Sequence, residues 1–447
     1  MITVLPADKV ICSLLRQSGR GDGPRKWTSF QLRTEAEGGL LLLNTLTLGL
    51  LWLSPAEAAQ LDTPQGALRE ALEAGWYLIP AGLDEHSVAR ELRELRRLMD
   101  PPKSWLQKYT VFTTTACNAR CAYCFERSWE PRTMTPETAE RAADYMLAHS
   151  GSHNFQIDWF GGEPLVNRRA IDCICDRLTQ GGAHFHSAMT SNGYLFEPKT
   201  VAEDRARWRL NSCQITLDGP EETYNRIKNY VYPGGNAFRR VLDNIHALAQ
   251  AGVQVFLRLN FDLSNASEQH QLIDVLAAEF GGHPMVSAYA MMLYDEAEGE
   301  ESHTPPAERV QLFALRQELT AHIQAGGLRQ PLRLLRELRT HMCMADSGDM
   351  ITILPGGEIG LCEQYHRDHF IGHIKREGFD RSVMDEFCAL RPEIPACADC
   401  PLYPDCIRLQ KCPNQLCSPE RRAAQEAQQR GAMQVEWENY RRKHPLP

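Results

Sequence analysis

The stretch TTTACNARCAYCF, Thr113 to Phe125, sets Cys117, Cys121 and Cys124 at the spacing C-x3-C-x2-C directly after a run with strand character. Three thiolates are offered, not four. A loop this tight can wrap three thiolates around one cube of iron and sulfide, a 4Fe–4S cluster that normally takes four cysteines. The fourth iron is then left for something else, and an iron with open positions on a reducible cluster can hold and cleave a ligand. Zinc is the competing reading. Structural zinc sites close with four ligands, usually from paired C-x2-C knuckles, and free buried cysteines show no regular spacing.

Outward from this loop the chain alternates strand and helix. A strand from Lys108 leads into the cysteines, and a helix is expected over Pro136 to His149. A strand Phe155 to Phe160, a helix from Arg168 and a strand His184 to Met189 follow. Strands Leu210 to Leu217 and Val253 to Asn260, with a helix Ala237 to Ala251 between them, continue the pattern. Repeated βα units imply a parallel sheet, with the working loops at the carboxyl ends of its strands. Three such loops stand out: Gly161-Gly162-Glu163-Pro164, Thr190-Ser191-Asn192-Gly193 and Thr216-Leu217-Asp218-Gly219-Pro220. Glycines at the first would let the backbone come close to a ligand.

With these residues the sequence resembles the radical S-adenosylmethionine (radical SAM) superfamily, whose signature is the C-x3-C-x2-C loop with an aromatic residue, here Tyr123, before the last cysteine. The resemblance covers roughly residues 108 to 420 and implies an α/β fold, a partial (β/α)6 TIM-like barrel. It also implies a 4Fe–4S cluster on Cys117, Cys121 and Cys124, with S-adenosyl-L-methionine as cofactor. Gly161, Gly162 and Glu163 match the GGE motif that meets the cofactor's methionine ammonium. Ser191, Asn192 and Thr216 lie in loops resembling those on its ribose and carboxylate sides. A basic residue twelve positions after Thr216 pairs with the carboxylate in such families; here it is Lys228, with Arg226 nearby, where members more often have Arg. Arg258 and Asn260 point to the same cavity if strand alternation holds, or else form a polar layer inside the barrel.

A second group of cysteines resembles the SPASM domain of peptide-maturing radical enzymes. Cys343, thirteen residues, Gly357, four residues and Cys362 fit one half of that pattern; Cys397, Cys400 and Cys406 give C-x2-C-x5-C, and Cys412 and Cys417 close the series. Thr352 to Leu361 reads as a hairpin turning at Pro355-Gly356-Gly357, which would bring Cys343 and Cys362 together. With Cys388 these are eight cysteines, enough for two auxiliary 4Fe–4S clusters. The spacing after Cys406 departs from the common pattern. By resemblance, Cys343, Cys362 and Cys412 hold the first auxiliary cluster and Cys397, Cys400, Cys406 and Cys417 the second. The first is completed by Cys388 or left with an open iron able to take a substrate thiolate. Cys12, Cys173, Cys175 and Cys213 lack partner spacing and read as ordinary thiols.

Eleven of the fifteen cysteines thus fall in two groups, which argues for metal chemistry and against a disulfide scaffold. The 447 residues suffice for two or three domains, and a net charge of -9 with 23% charged residues disfavours nucleic acid. The longest apolar run, Leu40 to Leu53, is too short to span a membrane and is broken by Asn44, Thr45, Thr47 and Gly49. No secretory signal is read, so a cytoplasmic protein is expected.

Residues 27 to 100 read as a winged-helix-like unit. It has a hairpin (Trp27 to Thr34, a turn at Glu37-Gly38-Gly39, Leu40 to Leu46), a helix capped by Ser54, and helical periodicity over Gln65 to Ala74 and Glu85 to Leu98. Asp100-Pro101-Pro102 marks a boundary. The division expected is 1–102 for leader-peptide recognition, 103–340 for the barrel and 341–447 for the SPASM domain. The acidic run Asp295 to Glu301 is expected as a solvated loop, and Leu328 to Met342 as a basic amphipathic helix.

The resemblance implies an enzyme that modifies a ribosomally synthesised precursor peptide carrying a leader, supplied with electrons by a reductant such as flavodoxin or ferredoxin. Reductive cleavage of S-adenosylmethionine yields a 5′-deoxyadenosyl radical that abstracts a hydrogen from the peptide, and the product favoured is a cysteine thioether crosslink. Carbon–carbon or carbon–oxygen crosslinking, epimerisation, formylglycine formation by a sulfatase-maturating enzyme and a non-catalytic iron–sulfur electron carrier are the alternatives.

Overall fold

In the computed structural model, the residues described are 1–15, 23–100, 105–151, 154–232, 235–293, 306–331, 334, 337–341, 343–363, 369–412 and 417–444. The chain begins with β1 (Ile2–Leu5), α1 (Lys9–Leu15), β2 (Arg25–Trp27), β3 (Gln31–Ala36), β4 (Gly39–Asn44) and β5 (Leu50–Leu53). The apolar run Leu40–Leu53 forms two strands because Asn44 turns the chain. Its side chain accepts the Leu46 and Thr47 N–H groups at 2.9 Å each and donates to the Trp76 carbonyl at 2.8 Å. No helix among the described residues is long and apolar enough to cross a membrane.

These strands form an antiparallel sheet in the order β1-β5-β4-β3. Its hairpin turns at Glu37 and Gly38, both at positive φ (47° and 72°), which a glycine accepts without strain. Trp27 does not extend that hairpin. It pairs with Leu78 in a separate ladder of β2 with β6 (Leu78–Pro80). Around them lie α2 (Pro55–Ala58), started by a reciprocal Ser54–Glu57 capping box, α3 (Gly66–Ala74) and α4 (Glu85–Met99). A four-stranded sheet stands where the sequence suggests one hairpin. The added strands, β1 and β5, have four residues each, too short for a period to show.

The middle of the chain winds β7 (Lys108–Thr114), α5 (Pro136–His149), β8 (Phe155–Gly161), α6 (Arg168–Gln180), β9 (Phe185–Ser191), α7 (Val201–Trp208), β10 (Leu210–Leu217), α8 (Glu221–Lys228), α9 (Ala237–Gln250), β11 (Gln254–Phe261), α10 (Ala266–Phe280), β12 (Val286–Met292) and α11 (Pro306–Ala325). Strands β7 to β12 are neighbours in sequence order and every adjacent pair is parallel. This is an α/β fold with a mostly parallel central sheet, consistent with a partial barrel. Ile157, Trp159, Ile215, Leu217, Val255 and Leu257 are fully buried in its core. Burying one such side chain is worth roughly 1.5–3 kcal/mol.

The C-terminal part comprises α12 (Met344–Ser347), β13 (Met350–Ile353), β14 (Glu358–Gly360), β15 (Gly372–His373), α13 (Arg381–Cys388) and α14 (Pro419–Lys443). Strand β13 pairs parallel with β7, and β14 and β15 follow antiparallel, so one nine-stranded sheet runs across residue 340. Helix α14 returns to the N-terminal sheet, with the Trp437 ring 4.9 Å from that of Trp52.

The basic helix expected over 328–342 is not found among its described residues. Arg329 bridges Ser287 in extended conformation, and the Arg339 backbone N–H and guanidinium both bond Asp405. Pro331 removes a helical donor from that stretch and disfavours helix in the residue before it. The acidic run 295–301, Pro101 and Pro102 lie outside the described residues.

Candidate active site

All the loops singled out in the sequence emerge at the carboxyl ends of parallel strands. The cysteine loop follows β7, Gly162 and Glu163 follow β8, Asn192 and Gly193 follow β9, and Asp218 to Pro220 follow β10. The contact of the first two is steric. Gly161 has φ of 126°, and a Cβ there would lie 2.1 Å from the Thr114 carbonyl; one at Gly162 would lie 2.5 Å from the Ala116 carbonyl. Because Gly161 and Gly162 lack side chains, the N–H groups of Gly162 and Glu163 can donate to those carbonyls at 3.1 and 3.0 Å. The glycine loop thereby fixes the entry to the cysteine loop.

Glu163 has no exposed surface. Its carboxylate accepts the Leu165 N–H at 3.2 Å, the Ser191 hydroxyl at 2.9 Å and the Asn192 N–H at 2.8 Å. Burial outweighs these donors and pushes its pKa up to about 7. Asn192 in turn donates from its side chain to Asn118 at 2.7 Å, inside the cysteine loop. From the far side Arg120 donates its N–H to the Lys228 carbonyl and Val231 its N–H to the Asn118 carbonyl, at 2.8 and 2.9 Å.

Cys117, Cys121 and Cys124 are all partly exposed. The Ala119 N–H reaches the Cys117 sulfur at 3.3 Å. Burial raises the Cys117 thiol to about 12 and Cys124 to about 11, and the charges of neighbouring cysteines and of Glu163 or Glu126 add to it. Cationic iron would reverse that cost, so the three thiols fit a cluster that stabilises thiolates. Among the described residues no three His, Cys, Asp or Glu converge on one ion. Cysteines that share a multi-iron cluster bind different irons, so this spacing does not conflict with it.

A buried polar chain closes the other side. Lys228, 1% exposed, lies 3.0 Å from Asp218 Oδ2 and 2.7 Å from the Thr216 hydroxyl. The Tyr123 hydroxyl donates to Asp218 Oδ1 at 2.7 Å, Asn260 reaches both Tyr123 and Asp218 at 3.2 Å, and Arg258 donates to Asn260 at 2.9 Å. A ligand carboxylate approaching Lys228 would thus meet Asp218 already in place. Tyr123, Thr216, Lys228, Arg258 and Asn260 are brought together as one network, and Glu163, Ser191 and Asn192 as a second beside it.

Sequence reasoning passed over Asp218, although it sits within the quoted TLDG loop, and Glu126, two residues after Cys124. Glu126 is buried and its Oε2 has no hydrogen-bond partner among the described residues. Burial, then the charge of Glu163, lifts it to about 8. Its only sequence signal is adjacency to the cysteines.

The eight cysteines from Cys343 to Cys417 occupy two neighbourhoods. Cys343 senses the charge of Cys412, and Cys388 that of Cys343; Cys362, Cys388 and Cys412 pack against the main core. Cys406 senses Cys400, Cys417 and Cys397, while Cys397 and Cys400 pack beside Tyr403 against the N-terminal unit.

Residues 111–264 match the Radical SAM superfamily. Among curated relatives, the radical SAM cyclopropyl synthase TigE of Paramaledivibacter caminithermalis is 22% identical over 201 residues, 41% of this chain and 41% of TigE. The chain thus spans about two fifths of that relative's length. Among solved structures, anSMEcpe with bound AdoMet and Cp18Cys peptide superposes with a TM-score of 0.55 at 14% identity, covering 75% of this chain and 99% of that one. Streptococcus suis SuiB bound to the precursor peptide SuiA gives 0.51 at 14% identity, covering 86% and 94%. The cysteine loop, the glycine loop and strands β8 to β11 lie inside the matched region, and the chain carries a radical SAM domain, with radical SAM enzymes as its relatives.

Proposed function

We propose that the protein is a radical SAM enzyme that modifies a peptide, and that its product is a thioether crosslink. The observation that carries the reading is the placement of Cys117, Cys121 and Cys124 at the carboxyl end of the parallel sheet, held between the Glu163 and Lys228 networks. The peptide is supported by the two peptide-bound structures that share the fold. The structure of SuiB bound to its precursor peptide SuiA covers 86% of this chain, which supports a precursor peptide as the substrate.

In this reading Cys117, Cys121 and Cys124 hold a 4Fe–4S cluster, and Gly161, Gly162, Glu163, Ser191, Asn192, Thr216, Lys228 and Arg258 surround S-adenosylmethionine. When bound, the pair would supply a 5′-deoxyadenosyl radical, one electron from the reductant being spent on cleaving the sulfonium with release of methionine, and that radical would take a hydrogen atom from the peptide. Asn192 and Asn118 orient the cysteine loop, and Asp218, 3.0 Å from Lys228, favours the charged form of the lysine against the cost of its burial. Tyr123, hydrogen-bonded to Asp218, fixes the loop between Cys121 and Cys124.

Thioether formation joins the peptide carbon radical to a cysteine sulfur of the same peptide. It removes one C–H hydrogen and one thiol proton and passes one electron to an acceptor. Cys343, Cys362 and Cys412, with Cys388 or an open iron as the fourth position, would hold one auxiliary cluster able to take up that electron, and Cys397, Cys400, Cys406 and Cys417 would hold another. The precursor's leader docks on the N-terminal sheet, and flavodoxin or ferredoxin is the reductant.

The test is anaerobic reconstitution followed by reductant and S-adenosylmethionine. We expect 5′-deoxyadenosine from the native chain and none from the Cys117→Ala/Cys121→Ala/Cys124→Ala variant, which keeps its auxiliary iron. Turnover by that variant sinks the assignment. A peptide product that keeps both hydrogens sinks the thioether alone.

A further inference from the structure

We infer that the group of Cys397, Cys400, Cys406 and Cys417, loaded with iron, clasps the N-terminal unit to the rest of the chain, and that Arg93 and Tyr403 position its loop. This rests on the reading that these four cysteines hold a 4Fe–4S cluster. To electron transfer it adds a structural role, that of fixing the sheet on which the precursor docks relative to the barrel.

From Cys397 to Cys406 the chain makes only 3-10 turns, Pro395–Cys397 and Tyr403–Asp405, with no strand or α-helix to fix its thiols. Its anchor is Tyr403, 3% exposed. That ring leaves the cysteine loop and enters a buried cluster with Ile11, Phe30, Trp76, Ala89 and Leu92 of the N-terminal unit, against which Cys397 and Cys400 also pack. It lies 6.1 Å from the Phe30 ring, the planes 15° apart, and 3.8 Å from the His86 ring. Arg93, on α4, closes the arrangement. Its guanidinium stands 4.7 Å from the centre of the Tyr403 ring, donates to the Tyr403 hydroxyl at 3.1 Å and, from its other terminal nitrogen, to the Cys406 carbonyl at 2.8 Å. A guanidinium is always charged and rigidly forked, so these contacts depend on no titration. The Thr45 hydroxyl donates to the Pro401 carbonyl of the same loop.

Directly after Cys406 the chain changes body. Ile407 and Leu409 are buried in the core of the parallel sheet. Cys417 stands just before α14, whose Met433 and Trp437 pack on the N-terminal sheet. Cys406 feels the charges of Cys397, Cys400 and Cys417, which places the four thiols in one neighbourhood. Iron bound to all four then ties together a segment anchored in the N-terminal unit, a segment anchored in the main core and the start of α14. The other group differs, since Cys362, Cys388 and Cys412 pack against the main core alone. A metal bound only by the assembled arrangement stabilises whatever assembles it. The coupling is reciprocal, so the N-terminal unit holds iron on these cysteines as much as the iron holds the unit.

The test compares full-length proteins reconstituted anaerobically with iron and sulfide. In a Cys397→Ser/Cys400→Ser/Cys406→Ser variant, hydrogen exchange should run about tenfold faster in α1, β6 and α4, the elements of that buried cluster, a usual size for such coupling. Strands β8 to β11 should keep their protection. Wild-type protein stripped of iron should show the same acceleration in α1, β6 and α4, which excludes the serines themselves as its cause. A Cys343→Ser/Cys362→Ser variant should leave those elements unchanged. In the reverse direction, Arg93→Leu and Tyr403→Leu should each lose about four irons and the matching part of the cluster's electron paramagnetic resonance signal, whereas Tyr403→Phe, which keeps the ring, should retain both. Native exchange in α4 after loss of the three cysteines overturns the clasp, and so does full iron in both leucine variants. If the triple serine variant holds as much iron as the wild type, the cluster assignment fails and the clasp with it, a result that iron content alone tells apart.

Discussion

Glu163 is without exposed surface, yet donors from Leu165, Ser191 and Asn192 all reach its carboxylate. Burial wins over the donors, and the folded pKa rises from 4.5 to about 7. A raised carboxylate pKa favours the neutral form in the fold. Its contribution is therefore full below about pH 4.5 and is lost as the pH rises toward 7, an effect of about 3 kcal/mol. Glu163→Gln should flatten that part of the profile, read as urea midpoints between pH 5 and 8; an unchanged slope would mean that the carboxylate is ionised throughout. Lys228 and Asp218 present the opposite case, with side-chain exposures of 2% and 0% at 3.0 Å. Removing one charge strands the other, so Lys228→Met should cost about 3–5 kcal/mol in urea unfolding. Lys228→Met combined with Asp218→Leu should cost less than the single change. If the double variant is the sum of its parts, the pair is not coupled.

At the level of elements, the strand–helix alternation between Lys108 and Asn260 was legible because strands such as FQIDWFG and LNSCQITL alternate apolar with polar residues between stretches of helical period. The expected Leu210–Leu217 strand is the one found, and Phe155–Phe160 gains only Gly161. The sheet's continuation was not legible: β13 joins β7 across some 240 residues of chain, and such pairing leaves no local period. The cysteine and glycine loops were legible as spacing. Their packing was not, because the partners Thr114, Ala116 and Asn118 are backbone groups or a single asparagine that only the tertiary fold selects. That packing makes Gly162 sensitive. In Gly162→Ala the new Cβ would sit 2.5 Å from the Ala116 carbonyl, and backbone must move. We expect circular dichroism close to native with 5′-deoxyadenosine formation down about a hundredfold, the scale on which a 1 Å displacement acts. Native turnover would show that the cysteine loop tolerates the shift.

Across the whole molecule, the last helix is joined to the first sheet. Arg430 and Gln434, one turn apart on α14, donate to the Arg33 and Glu35 carbonyls at 3.2 and 3.1 Å. These are alternate residues of the edge strand β3, so α14 covers carbonyls that would otherwise invite another strand. Below them Met433 and Trp437 are buried with Leu32, Leu41, Leu43, Leu50 and Trp52 in a core of their own. The parallel sheet has its own, larger core. Of the four buried clusters, the one holding Met433 and Trp437 draws on both ends of the chain and is separate from that of the parallel sheet, so the two should open as distinct cooperative units. Trp437→Ala removes the ring stacked on Trp52 and should cost that unit about 3–5 kcal/mol. Hydrogen exchange should then accelerate in β3, β4, β5 and α14 while β7 to β12 keep their protection, and S-adenosylmethionine cleavage without peptide should stay native. Acceleration spread evenly over both sheets would instead mean that the N-terminal sheet, α14 and the parallel sheet open as one.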